Sequence, residues 1–263
     1  MDKIKTIIFK EWAEVFKNRF VLFTVAFLPL IMTAIPLGIL FTMRGEANLE
    51  GVSSEMPEQF TALCRADLSG GECFQVYLVS QFMIMFMIIP LAIPATISSY
   101  SIVGEKTTHS LEPLLATPIT TAELLIGKSL AAAIPAVLAT WLGFAVFAAG
   151  AWILIPNKAL FTAILDLRWL LAIFLVGPLM AIMAVNLSVM ISSRVNDPRV
   201  AEQISMVVLL PVLVAFFGQL AGLFLINRQL ILASGGVLLL LDMIMVYLAV
   251  RLFQRETILT RWK

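Results

Sequence analysis

The side chains in this sequence that could do chemistry are few and scattered. There is one histidine, His109, and no Cys or His stands near it at zinc-ligand spacing, so no metal site is advertised. Residues 122–129, Ala-Glu-Leu-Leu-Ile-Gly-Lys-Ser, come within one residue of the glycine-rich loop that cradles nucleotide phosphates, with Gly127 and Lys128 in register. Ala122, however, stands where the first glycine belongs. The segment also reads as the start of an apolar helix instead of a loop after a strand, so it does not bind ATP by that motif. Asp242 lies inside an otherwise apolar run, where a carboxylate is costly unless it faces protein, water or a partner. Two readings stand open for it: a hydrogen-bonded contact between helices, or a wall of a polar transport path. Gln81, Asn186 and Gln219 repeat the signal more weakly, and for them interhelical hydrogen bonding is the commoner explanation. No catalytic, cofactor-binding or metal-ligating set emerges.

Both cysteines, Cys64 and Cys73, fall in an acidic stretch, residues 44–73, around a Ser-Gly-Gly turn. On an oxidising face of a membrane they could form a disulfide stabilising that stretch by roughly 2–3 kcal/mol; two free thiols are the alternative.

The elements that must position these residues are set by composition. Hydrophobic residues make up 60% of the 263, charged ones 13%, and the mean hydropathy is +0.98, far from a soluble domain and typical of a polytopic membrane protein. A net charge of +1 with no basic run sets nucleic-acid binding aside. Uncharged stretches of about 20 residues or more are the candidates for spans. They run from Phe20 to Met43, Phe74 to Gly104, Ser129 to Asn157, Trp169 to Ser193 and Gln203 to Asn227, with a sixth, Gln229 to Val250, interrupted only by Asp242. Pro29, Pro36, Pro90, Pro94, Pro135, Pro178 and Pro211 lie inside them and predict kinks.

Thirteen of the 18 Lys and Arg residues fall on the side of both termini, which puts the termini in the cytoplasm. No cleavable signal peptide precedes the first span. Residues 1–19 place Ile4, Ile7, Ile8, Trp12 and Val15 on one side of a helix and Lys3, Lys10, Glu14 and Lys17 on another, as expected of a helix lying on the inner leaflet. The expectation is an all-α polytopic membrane protein. It has an interfacial amphipathic helix at 1–19, a six-span domain over 20–263, an outside loop at 44–73 and a cytoplasmic segment at 104–120. Gly218 and Gly222 form a small-xxx-small pattern that would admit another helix closely, though such patterns are frequent by chance.

Residues 104–128, Gly-Glu-Lys-Thr-Thr-His-Ser-Leu-Glu-Pro-Leu-Leu-Ala-Thr-Pro-Ile-Thr-Thr-Ala-Glu-Leu-Leu-Ile-Gly-Lys, hold a polar interruption between two spans. Pro113 suits the first turn of a helix and Pro118 disfavours helix at Thr117, leaving a short helix over Ser110 to Ala116. Thr120 and Glu123 then form a capping box for the next helix. A short helix presenting Leu111, Leu114 and Leu115 with Glu112 at its edge fits a groove on a soluble partner.

This stretch resembles the signature of the membrane subunit of ABC-2-type exporters. Glu105, Ser110, Leu111, Glu112, Leu114, Leu115, Thr117, Pro118, Glu123, Gly127 and Lys128 fill its places, with Ser110 where threonine is commoner. Residues 192–211 resemble the second inner loop of the family, with Arg194, Asp197, Arg199 and Glu202, and residues 253–259 resemble its ending. The resemblance implies a permease in the cytoplasmic membrane of a prokaryote, surrounded by membrane lipid and paired with a second copy or a homologous permease. It further implies docking on a dimer of cytoplasmic ABC ATPase subunits that bind ATP and Mg, while this chain binds no cofactor itself. Coupling would run through 104–120 and secondarily through 192–202. A proton-coupled carrier using Asp242 and a non-transporting regulatory subunit are the alternatives. Few charges in the spans favour a lipid-like or amphipathic cargo.

Overall fold

The computed structural model of the chain describes residues 2–43, 60, 64, 67–107 and 119–252. Every regular element among them is helical, as a bilayer requires of a chain that must satisfy its backbone within each segment. Six helical segments are long and apolar enough to cross a membrane: Arg19–Thr42, Gly70–Glu105, Ala122–Leu154, Lys158–Ser192, Pro198–Leu220 and Arg228–Ala249. Six crossings would bring residues 2 and 252 to one side, which we call the terminal face.

Helix α1 (Asp2–Val15) precedes the first crossing, α2 (Arg19–Thr42), whose Asn18 cap accepts the Phe20 N–H. The second crossing is α3 (Gly70–Phe86) and α4 (Ile89–Thr107), the third α5 (Thr121–Leu154). The fourth joins α6 (Lys158–Ile164), α7 (Leu167–Leu171), a π-helical turn at Ala172–Val176, and α8 (Gly177–Ser192). The fifth joins α9 (Pro198–Ser205), a 3-10 turn at Met206–Leu209, and α10 (Leu210–Leu220); the sixth is α11 (Arg228–Leu252).

Proline explains most of the interruptions. Between α3 and α4, just before Pro90, the N–H groups of Met87 and Ile88 bond back only three residues, to Ile84 and Met85. The π turn ends beside Pro178 and the 3-10 turn beside Pro211. A proline removes a donor and crowds the carbonyl four residues back, and a locally wider or tighter turn relieves the clash. Pro29, Pro36, Pro94 and Pro135 sit in helices that run on unbroken.

Several span limits differ from the sequence reading because charged residues near the ends find local partners. The fourth crossing starts at Lys158, not Trp169: Asp166 accepts the Leu167 N–H at 2.7 Å and pairs with Arg168 Nε at 2.7 Å. The third helix starts at Thr121, eight residues before the uncharged stretch, on the expected capping box of Thr120 and Glu123. The fifth ends at Leu220, where Gly222 takes a left-handed φ of 69°. Gly222 N–H bonds Gln219 O and Leu223 N–H bonds Gly218 O, a Schellman turn. The Gly218–Gly222 pattern therefore serves this turn and not a helix contact: a Cβ on Gly218 would lie 2.5 Å from Phe224 of the same chain.

The second crossing is the centre of the fold. Of its most apolar window, 78% is buried inside the protein, against 22% for the first, fifth and sixth crossings, which turn most of their surface outward. On the face opposite the termini, Gln75 donates to Met43 O, Glu72 accepts from Asn157 at 2.6 Å, and Cys64 and Cys73 are joined with Cα atoms 6.0 Å apart.

Candidate functional site

Helix α1 buries Ile7, Glu11 and Val15 at spacings of four residues, one face of a helix. That face carries the apolar side of α1, and it packs on α5 and α4. Trp12 Nε1 donates to Ala131 O of α5 at 2.8 Å. Ile7 sits so close to Gly127 that a Cβ there would meet Ile7 Cγ2 at 2.8 Å. Gly127 is thus the residue that lets α1 close on the third crossing.

The stripe of α1 delivers Glu11 to its charge partners. Glu11 is 3%, Glu105 4% and Lys128 6% exposed. Lys128 Nζ lies 2.7 Å from Glu11 Oε1 and 2.7 Å from Glu105 Oε2, and donates to Ser101 Oγ at 3.0 Å. Ser101 in turn donates to Glu11, and Lys10 donates to Glu105 while pairing with Glu14 at 3.3 Å. Two cations and two buried carboxylates cancel, and each has hydrogen-bond partners, the condition under which buried charge is tolerated. Burial opposes charge on Glu11, but Lys128 beside it holds the carboxyl below its ordinary 4.5. Burial likewise opposes charge on Lys10, and Glu105 lifts the amine above its ordinary 10.5.

Helix α4 is the hub. Glu105 and Ser101 reach α1 and α5; Ser99, fully buried, lies 3.0 Å from Ser188 of α8; Thr96, also fully buried, donates to Glu202 of α9 at 2.6 Å. Asp197 caps α9, accepting from the Arg199 N–H at 2.7 Å, with Pro198 at the first turn. Of the second inner loop, Glu202 thus joins the α4 seam, Asp197 shapes its helix, and Arg194 and Arg199 are exposed. Beside the quartet a hollow of about 410 Å³ opens among Glu14, Asn18, Tyr100 and Gly104.

Of the expected coupling residues, Glu105 falls in this cluster. Ser110, Leu111, Glu112, Leu114, Leu115, Thr117 and Pro118 lie outside the described residues, as do His109 and the 253–259 ending. The described chain nonetheless frames the segment: Glu105 stands just before it, Lys128 after it, and their side chains meet. Sequence reading missed Glu11, Ser101 and Thr96. The signal for Glu11 was present, a carboxylate midway along the apolar stripe of Ile7 and Val15.

Gln81, Asn186, Gln219 and Asp242 are all buried, on α3, α8, α10 and α11, and no hydrogen bond joins any two of them among the described residues. Both oxygens of Asp242 and the Asn186 amide nitrogen lack a hydrogen-bond partner there.

A family model described as ABC-2 family transporter protein matches residues 5–251. No curated protein matches the chain.

Proposed function

The chain belongs to the ABC-2 transporter family, and from that premise we propose that it is the permease subunit of an ATP-driven exporter, moved by a separate ATPase dimer docked on its terminal face. The terminal face is cytoplasmic in this reading, as the distribution of Lys and Arg favours, and two permease chains enclose the path. The observation that carries the reading is the quartet of Lys10, Glu11, Glu105 and Lys128. It locks both ends of residues 106–127 to one another and to α1, so a push on Leu111, Leu114 or Leu115 reaches α4 and α5 together instead of being absorbed by a loose loop. From α4, Thr96 and Ser99 pass displacement to α9 and α8. Two packings of these helices, each favoured by one nucleotide state, would open the path to alternate sides.

Asp242 and Asn186 supply polar points on that path. With them exchanged for Asp242→Asn and Asn186→Leu, flux should fall while ATP hydrolysis persists. Loss of flux together with a lost dependence on a proton gradient, and no dependence on ATP, would favour the carrier reading. For the coupling itself, Leu114→Asp in the complete complex should separate hydrolysis from transport, and full coupling in that variant would overturn the role given to the segment.

A further inference from the structure

On the half of the molecule away from the termini, a cleft of about 470 Å³ runs inward between the fourth, fifth and sixth crossings and the α3–α4 break. Its inner walls are aliphatic and methionine-rich, with Met87, Met180, Met183 and Leu238, side chains that adapt to flexible apolar shapes. At its outer end stands Trp169, whose ring is 2% exposed and whose indole N–H has no acceptor among the described residues. A buried indole N–H normally finds a partner. Next to it, Arg168 lies with its guanidinium carbon 5.9 Å from the Trp169 ring centroid, and its Nη1 donates at 3.3 Å to the carbonyl of Ile226, itself a wall residue.

We propose that this cleft binds one acyl chain of a bilayer glycerophospholipid, whose ester carbonyl accepts the Trp169 N–H. The chemistry is graded along the cleft: the Asp166–Arg168 ion pair beside Trp169, then a lone donor, then hydrocarbon. Trp and Arg are residues that hold lipids at an interface. A bilayer supplies the ligand at high local concentration on the surface where the cleft opens, and an empty apolar cavity would leave its wall atoms without contacts. Water fits poorly, since a water molecule needs two to four polar partners and Trp169 and Ser234 are the polar side chains on the wall. The site does not depend on the ATP-coupled reading and would exist in a chain that transports nothing.

The test uses the full chain with Trp169 as its single tryptophan, the other four of five replaced by Phe, reconstituted in vesicles of dibrominated phosphatidylcholine. Brominated chains quench tryptophan on close approach. A chain with Trp152 alone, 71% exposed, is the lipid-contact reference. Trp169 should be quenched nearly as strongly as Trp152 despite its burial. Filling the cleft from either wall, with Ala172→Phe or with Val212→Phe, should remove the Trp169 quenching and leave that of Trp152 unchanged. Absence of quenching at Trp169 in the open cleft, or equal quenching with the cleft filled by whichever variant folds, overturns the proposal.

Discussion

Two buried regions of this membrane protein treat polar groups in opposite ways. On the terminal face, Glu11, Glu105 and Lys128 are as buried as core residues, and each carries an ion pair and a close neighbour of opposite charge. Deeper in the membrane and toward the other face, Asp242 and Trp169 are also buried, but the Asp242 oxygens and the indole N–H stand without partners among the described residues. Satisfied buried charge fixes one arrangement, because every alternative leaves an unpaired ion. Unsatisfied buried groups fix nothing by themselves and are suited to something that comes and goes. In the proposed mechanism the quartet serves as a transmission joint, and the cleft at Trp169 as the receiving surface.

The sharpest way to break the comparison is to unpair the joint. Lys128→Met leaves Glu11 and Glu105 sharing only Lys10, and removal of one partner from a buried pair costs about 3–5 kcal/mol. The expected result is a marked fall in thermal midpoint in detergent and exposure of α1 to protease. An unchanged midpoint would mean the quartet is ornamental. Gly127→Val attacks the same joint sterically, by driving a side chain into Ile7. A loss of about 1–3 kcal/mol is expected for such overpacking, and Ile7→Ala in the same chain should restore most of it.

Acidity gives a reversible version. Glu11 has a lowered pKa in the folded chain, so its contribution is complete above its ordinary 4.5 and fades as pH falls through the lower folded value. Lys10 is raised, so its contribution is complete below its ordinary 10.5 and fades as pH climbs through the higher folded value. Docking of α1, followed by an environment-sensitive label at Phe9, should be flat between those two values and loosen outside them. A midpoint near neutrality would contradict the assignment. Smaller still, Thr96→Val removes one hydrogen bond to Glu202 and should cost about 1 kcal/mol, read as a modest shift in unfolding midpoint. On the opposite face, denatured protein without reductant should show no reactive thiols from Cys64 and Cys73; two reactive thiols would contradict the bond.

The sequence made much of this architecture legible. Six apolar runs, the breaks at Pro90, Pro178 and Pro211 and the Thr120–Glu123 capping box follow from local rules, and the structure has them; Pro29, Pro36, Pro94 and Pro135 interrupt no helix. Span ends were less legible, since Asp166 and Arg168 look like loop residues until their ion pair is seen. The quartet was hidden for a different reason. Lys10 and Glu11 lie about a hundred residues from Glu105 and Lys128 in sequence, so no spacing rule could join them, and Lys128 drew notice for a resemblance to a nucleotide loop that it does not form. The coupling residues Leu111, Glu112 and Leu114 rest on the family signature.

In the proposed mechanism residues 104–120 receive force from an ATPase subunit and the quartet passes it on. The most direct measurement takes the complete complex purified from native membranes through a tag on this chain and follows Mg-ATP hydrolysis with and without Leu114→Asp or Lys128→Met. The unaltered complex should show vanadate-sensitive hydrolysis, Leu114→Asp should keep hydrolysis that no longer drives transport, and Lys128→Met should keep the ATPase subunit bound with altered hydrolysis. A complex without ATPase activity, or one whose activity neither substitution changes, would contradict this mechanism.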